Sequence, residues 1–171
     1  LKEFADEIGI EFLSTPDGFE SLDFVSDHLN VPYIKVGSSE LNHLLFLEKV
    51  GLKNKPVILS TGLGIFREVK DALKHLRKYN KNLEIVVLQC TSEYPCPIDK
   101  LNLSMIAKME QLYSVPVGFS DHSIGINAAP IAVAAGALLI EKHVTLTPDE
   151  AGFDHKISLT PDSFAQMVAK I

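Results

Sequence analysis

Short apolar runs alternate with longer amphipathic stretches along the whole chain. The runs are rich in Val, Ile and Leu and lack a clean period of two, which is typical of strands that are covered on both faces. The pattern therefore predicts six parallel strands: Ile10–Ser14, Tyr33–Gly37, Val57–Ser60, Ile85–Cys90, Val115–Phe119 and Ala137–Glu141.

The stretches between the runs predict helices, because their apolar residues recur at helical spacing. Val69 and Leu73, for example, fall on one side of the same stretch. The predicted helices are an amphipathic one that opens at Leu1, then Phe19–Leu29, Phe66–Lys78, Leu103–Leu112, Ile124–Ala135 and Pro161–Ile171, the last with Thr160 as its N-cap. Strands that alternate with helices indicate a parallel α/β domain.

The length changes this picture. The chain has 171 residues, enough for one domain but short of the roughly 250 residues of a complete (β/α)₈ barrel. Hydrophobic residues make up 46% and charged residues 22%, an ordinary globular composition that argues against disorder. The sequence begins at Leu1 inside a predicted helix, with no Met and no signal peptide, so we expect a fragment whose true N-terminus is missing.

Charge and cysteine content narrow the possible partners and location. A net charge of −6 does not favour a nucleic-acid partner. The longest apolar stretch, 128–140, contains Pro130 and Gly136 and is too short to span a membrane. Two cysteines, Cys90 and Cys96, are too few for a disulfide framework and predict reduced thiols in a cytoplasmic protein.

Polar side chains follow the apolar runs at their carboxyl ends, the edge where catalytic residues gather in parallel barrels. Lys35 with the hydroxyls of Ser38, Ser60 and Ser120 would suit an oxyanion such as phosphate. The alternative is that these small polar residues only cap helices after short loops.

Two histidines end consecutive predicted strands. Because adjacent parallel strands lie about 4.8 Å apart, His122 and His143 could reach one ion, and two imidazoles with oxygen ligands suit Mn, Fe, Co or Zn. A purely structural role is equally open, and so is a two-histidine, one-carboxylate iron site. The other histidines considered, His28, His43 and His75, are interpreted as surface residues.

Three acids have alternative interpretations. Glu40 is either a general acid/base or sugar-hydroxyl acceptor at the strand edge, or a glutamate that starts a helix. Asp154 lies in a loop that could cover the edge, or it is a turn residue. Asp121 precedes His122 and would point to the other face of its strand, which suggests a supporting role.

Seven segments occur in an order that resembles the sialic acid synthase family, which includes N-acetylneuraminate, legionaminate and pseudaminate synthases. The resemblance covers essentially the whole chain. The segments are Phe12–Pro16, Tyr33–Glu40, Ile58–Gly62, Gln89–Pro95, Gly118–Gly125, Glu141–Leu146 and Asp154–Leu159.

The resemblance implies an incomplete (β/α)₈ TIM barrel over residues 1–171, with about six of eight βα units and the first two strands missing. The missing strands would carry a substrate-binding Glu and Lys, and we expect that these 171 residues do not include the family's C-terminal antifreeze-like domain. The resemblance also implies a synthase that condenses phosphoenolpyruvate with an N-acyl hexosamine of the N-acetylmannosamine type, giving a nine-carbon 2-keto acid and phosphate. We expect a homodimer in the full-length protein and an inactive fragment.

The same resemblance implies roles for individual residues. His122 and His143 would bind a divalent metal, which in this family is commonly Mn²⁺, and would act with Glu40 in catalysis. Phosphoenolpyruvate would be bound by Thr15, Lys35, Ser38, Ser60, Ser92 and Ser120. The sugar would be bound by Glu40, Tyr94 and Asp154.

Some positions depart from the family pattern, and two other functions stay open. Gln89 stands where a His is common, as in animal-type members, and Ser39 stands where a Gly is common. One alternative is another phosphoenolpyruvate-dependent aldol-type synthase that acts on a phosphorylated aldose. The other is a binding fragment without activity.

Overall fold

The computed structural model describes residues 1–171, which form two compact units, Leu1–Val86 and Val87–Ile171. The strands are β1 (Ile34–Val36), β2 (Val57–Ser60), β3 (Ile85–Cys90), β4 (Val117–Asp121) and β5 (Ile140–Lys142). The helices are α1 (Lys2–Glu7), α2 (Phe19–Asp23, continued by a π-helical turn over Phe24–His28), α3 (Leu44–Leu52), α4 (Phe66–Leu76), α5 (Met105–Tyr113), α6 (Ala128–Ala134) and α7 (Pro161–Val168). Short 3₁₀ turns cover Ser38–Glu40, Ile98–Lys100 and Asp154–Ile157.

In the first unit, β1 and β2 are parallel neighbours. Lys35 lies opposite Ile58, and Val36 lies opposite Leu59. Both strands are buried along their whole length, as expected for a sheet covered on both faces. Helices α3 and α4 pack against each other, and the fully buried Phe46 and Leu76 belong to the core of this unit.

In the second unit, β3 from Val87 onward, β4 and β5 are parallel and follow chain order. Ser120 is in register with both neighbouring strands, opposite Cys90 on one side and Glu141 on the other. Gly118 is required by close packing: a Cβ there would lie 2.6 Å from the Leu139 carbonyl oxygen. The register therefore brings the ends of these three strands to one edge of the sheet.

The parallel α/β prediction is confirmed, with one wrong strand. Ile10–Ser14 forms no strand: Ile10 and Leu13 are 62% and 38% exposed, and the Ile10 amide donates to the carbonyl of Ala5 in α1. A strand needs a hydrogen-bonded neighbour, and an apolar run alone does not supply one. Thr15, which follows this run, nevertheless lies close to the end of β1. Its methyl group is 3.8 Å from the position that a Cβ on Gly37 would occupy.

The predicted helices are confirmed with shifted ends. The Thr160 hydroxyl accepts a hydrogen bond from the Ser163 amide, so the N-cap prediction is correct. Helix α6 begins only at Ala128, four residues later than predicted. No pattern predicted α3, since the stretch from Leu44 to Leu47 is apolar throughout and has no amphipathic period. None of the helices is both long and apolar enough to cross a membrane.

Candidate active site

The imidazoles of His122 and His143 lie side by side, with ring centroids 5.6 Å apart. Each follows directly on the end of its strand, β4 or β5. Ser120 and Glu141 face each other in the register, and residues two positions further on project to the same face of a strand. The pairing of β4 with β5 therefore places the two histidines together, as the sequence predicted.

His122 is held in a defined orientation. Its Nδ1 lies 2.8 Å from the backbone carbonyl oxygen of Thr91, so Nδ1 donates and the lone pair of Nε2 is left for another ligand. Burial lowers the pKa of His122, because the charged imidazolium loses its hydration, although the bond to Thr91 opposes this change. His122 is therefore a neutral imidazole near pH 7, the form that binds a metal.

His143 lies near a carboxylate. Its Nδ1 is 3.8 Å from Asp154 Oδ2, which is longer than a hydrogen bond but close enough for attraction between charges. The loop that carries Asp154 returns to β5 because the Leu159 amide donates to the His143 carbonyl and the Thr145 amide donates to the Leu159 carbonyl. A carboxylate at one nitrogen of an imidazole favours metal binding at the other nitrogen. Asp154, predicted for the sugar pocket, thus lies beside a predicted metal ligand.

Tyr94 covers the histidine pair. Its ring stacks on His122 at a centroid distance of 4.1 Å and meets His143 edge-on at 6.1 Å. Partial burial raises the pKa of Tyr94, since the phenolate would lose solvation. Its hydroxyl therefore stays protonated and can donate or accept a hydrogen bond at this surface.

Glu141 is a site residue that the sequence predictions missed. Ser120 Oγ donates to Glu141 Oε1 at 2.7 Å, and the same Oγ lies 3.5 Å from His122 Nε2. The period of two along β5 was the available signal, because Glu141 stands two residues before His143. The Ser120 hydroxyl is thus shared between a carboxylate and a predicted metal ligand.

Asp121 and Lys142 project to the opposite face of the same two strands. Their side chains are fully buried, with Lys142 Nζ 3.0 Å from Asp121 Oδ2. Asp121 Oδ1 accepts from both the amide and the hydroxyl of Ser123. This ion pair lies behind the histidine pair and supports the strand ends, the role predicted for Asp121.

The donor set suits a divalent cation with incomplete protein ligation. No group of three or more His, Cys, Asp or Glu side chains is arranged to hold a metal ion. Two neighbouring imidazoles leave the remaining coordination positions to water or substrate oxygens, which is typical of a catalytic rather than a structural metal site. His122 and His143 therefore fit the predicted Mn²⁺.

In the first unit, Lys35 and Ser60 form a buried cationic site. Lys35 Nζ donates to Ser60 Oγ at 2.8 Å and contacts the Val36 carbonyl oxygen at 3.3 Å. Both residues are buried at the ends of β1 and β2. A buried ammonium beside a hydroxyl is suited to bind a phosphate or carboxylate oxygen.

The remaining predicted residues lie in the loops that follow the strands. Ser38 and Glu40 are half-buried in the 3₁₀ turn after β1, and Thr15 is exposed beside Gly37. Glu40 Oε2 lies 2.9 Å from His43 Nδ1. Ser92 is half-buried in the loop after β3. Each unit thus gathers its own predicted residues near its strand ends.

Known proteins match the chain over its full length. The model of the NeuB family matches residues 1–171. An N,N'-diacetyllegionaminic acid synthase of Campylobacter jejuni is 39% identical over 98% of this chain and 50% of its own length. The human N-acetylneuraminate-9-phosphate synthase is 35% identical over 100% of this chain and 47% of its own length. The chain therefore spans about half the length of these relatives.

A solved structure gives the same relationship. The crystal structure of an N-acetylneuraminic acid synthetase from Leptospira borgpetersenii, in complex with citrate, superposes with a TM-score of 0.93 at 33% identity. The match covers 99% of this chain and 58% of that one. The parallel strands and this likeness show an incomplete TIM barrel. The chain belongs to the NeuB family.

Proposed function

We propose that the full-length protein that carries these residues condenses phosphoenolpyruvate with an N-acyl hexosamine, giving a nine-carbon 2-keto sugar acid and phosphate. The observation that carries this proposal is the His122–His143 pair, in which the two rings lie 5.6 Å apart and the bond from His122 Nδ1 to the Thr91 carbonyl leaves His122 Nε2 for a cation. The family relationship supplies the class of substrates.

The cation we propose is Mn²⁺, held by Nε2 of His122 and of His143. When bound, it supplies Lewis-acid polarisation of the acceptor's aldehyde. The Thr91 carbonyl orients the His122 ring, and the Asp154 carboxylate lies 3.8 Å from Nδ1 of the His143 ring. Tyr94 stacks on His122 and limits the access of water to that ring.

Phosphoenolpyruvate is bound in part by the Lys35–Ser60 pair. The ammonium group provides a full positive charge in an otherwise acidic chain, and the serine hydroxyl that it now contacts can turn to donate to the ligand. In this proposal Thr15 and Ser38, which belong to the same unit, provide further donors.

The reaction balances as follows. The methylene carbon of phosphoenolpyruvate forms a bond to the aldehyde carbon of the open-chain sugar, whose oxygen takes up a proton. Water adds to the former enol carbon and loses a proton. The C–O bond to phosphate then breaks, and the 2-keto group forms as the proton of the new hydroxyl passes to the leaving phosphate. In this proposal Glu40 accepts a hydrogen bond from the acceptor sugar and exchanges a proton with it.

Phosphate release tests the proposal. The full-length protein is assayed with phosphoenolpyruvate, Mn²⁺ and one acceptor at a time: N-acetylmannosamine, its 6-phosphate, a diacetamido hexose and a phosphorylated aldose without an acylamino group. We expect turnover with an N-acyl hexosamine and its loss on chelation with EDTA. Turnover with the phosphorylated aldose alone would instead favour the other aldol-type synthase.

The 171-residue chain gives a second test. We expect little or no turnover from it alone, because it spans about half the length of its relatives. Robust activity of this chain would show that the rest of a relative's length is dispensable for the reaction.

A further inference from the structure

The carboxylate of Glu40 is held by a histidine that the sequence predictions interpreted as a surface residue. His43 Nδ1 lies 2.9 Å from Glu40 Oε2, across the turn that follows β1. An ionised carboxylate can only accept, so His43 donates through Nδ1. The side chain of Glu40 is 17% exposed and that of His43 is 46% exposed, so the bond is partly shielded from water.

Two phenylalanines fix the ring of His43. Phe46 stacks on it with centroids 5.6 Å apart and an interplanar angle of 22°, and Phe19 meets it edge-on at 5.7 Å. Phe46 is fully buried in the core of the first unit, so it is a rigid support. The direction of the His43 N–H is therefore set by the core and not by a mobile surface side chain.

We propose that His43 is the positioning residue for Glu40 in recognition of the acceptor sugar. This inference rests on the proposed function, in which Glu40 accepts a hydrogen bond from that sugar. His43 occupies Oε2 and leaves Oε1 to accept from a hydroxyl or an acylamino N–H of the substrate. Holding the carboxylate in one rotamer before binding reduces the freedom that must be lost when the sugar binds.

Two substitutions separate the hydrogen bond from the ring packing. His43→Phe keeps an aromatic ring between Phe19 and Phe46 but removes the donor. His43→Asn removes the ring but keeps an amide N–H near the place of Nδ1. In the full-length protein with phosphoenolpyruvate and N-acetylmannosamine, we expect H43F to raise KM for the sugar about fivefold to tenfold. KM for phosphoenolpyruvate should stay unchanged, and H43N should restore most of the sugar affinity.

His75 offers a matched control in the same unit. Its Nδ1 lies 2.8 Å from Glu48 Oε1, the same type of bond between α4 and α3. His75→Phe should leave both KM values at the wild-type level. If Glu40→Gln raises the sugar KM while H43F does not, the inference is wrong and the assignment of Glu40 stands. If Glu40→Gln leaves the sugar KM unchanged, the assignment of Glu40 and the inference both fail.

Discussion

Lys142 Nζ lies 3.0 Å from Asp121 Oδ2, and neither side chain is exposed to solvent. No well-directed hydrogen bond reaches Oδ2, so the contact is mainly an attraction between charges. Lys142 also donates to the backbone carbonyl of Ser123. The amide and the hydroxyl of Ser123 in turn donate to Asp121 Oδ1. A closed polar cluster thus joins the ends of β4 and β5 directly behind the two histidines.

Removal of one charge from this pair should strongly destabilise the fold. Asp121→Asn leaves the Lys142 ammonium buried without its counter-charge, and we expect a loss of about 3–5 kcal/mol in the free energy of unfolding. Lys142→Met should have a cost in the same range. Urea unfolding of the full-length protein, followed by far-UV circular dichroism, measures both changes.

A matched control and a double variant define this prediction further. The pair Lys2–Asp6 is shorter, at 2.6 Å, but it is exposed to solvent, so Asp6→Asn should cost less than about 0.5 kcal/mol. Asp121→Leu combined with Lys142→Met should cost clearly less than the sum of the single changes, because no unpaired charge is left. Additive costs would contradict a coupled ion pair.

The sequence predicts β1 to β4 because these strands are almost wholly buried, and a run of Val, Ile and Leu marks such a strand. Strand β5 is only half-buried, and the apolar residues that lead into it mark its position. Ile10–Ser14 is a similar apolar run but forms no strand, because a strand also needs a hydrogen-bonded neighbour and composition does not show whether one is present. Helix α3 escapes prediction for a different reason: Leu45 is 71% exposed beside the buried Phe46 and Leu47, so its first turn is apolar on the exposed side as well and no polar face marks the period.

For the candidate site, the sequence predicts which residues end the strands but not how each is oriented. The approach of His122 to His143 follows from register and a period of two. The position of Asp154 does not, because it depends on a bridge between Val144 and Leu159 that returns a long loop to β5. The bond of His43 to Glu40 depends on one local turn, which single residue types do not specify.

Loss of either imidazole should abolish metal binding. In the proposed site the protein supplies only two ligands, so His122→Ala or His143→Ala should weaken Mn²⁺ binding at least about a hundredfold and eliminate turnover. Titration of the metal-free, full-length protein with Mn²⁺, followed by electron paramagnetic resonance of the free ion, measures the affinity without relying on activity.

His28 serves as the control for that titration. It is exposed and stacks on Phe24 in the first unit, with no predicted metal role. His28→Ala should bind Mn²⁺ as the wild type does. Unchanged Mn²⁺ binding in the His122 or His143 variant would refute the assignment of the metal ligands.

The Lys35–Ser60 pair should control the affinity for phosphoenolpyruvate. Lys35→Met removes the buried positive charge, and we expect kcat/KM for phosphoenolpyruvate to fall about a hundredfold or more. Ser60→Ala removes one neutral donor and should cost about fivefold to tenfold. Steady-state kinetics at saturating acceptor measures both.

The exposed surface of the same unit provides the comparison for Lys35. Lys55 donates to Asn30 Oδ1 and to the Val31 carbonyl, before the amino ends of β1 and β2 and not at the carboxyl ends where the proposed site lies. Lys55→Met should leave kcat/KM for phosphoenolpyruvate within about twofold of wild type. A loss of equal size in both lysine variants would indicate a general effect of charge and not a binding site.

The stability of the protein should fall in mildly acidic solution because of His122. Burial lowers its pKa in the folded state, so the unfolded chain binds more protons between that lowered pKa and the ordinary value of about 6.5. The contribution of His122 to stability is therefore complete above about pH 6.5 and is lost as the pH falls towards the folded-state pKa.

His122→Asn tests this prediction because asparagine keeps a donor near the Thr91 carbonyl but does not titrate. Between pH 7.5 and pH 5.5, without metal, the urea midpoint of unfolding of this variant should decline less than that of the wild type. Equal declines in the two proteins would show that His122 is not desolvated in the folded state.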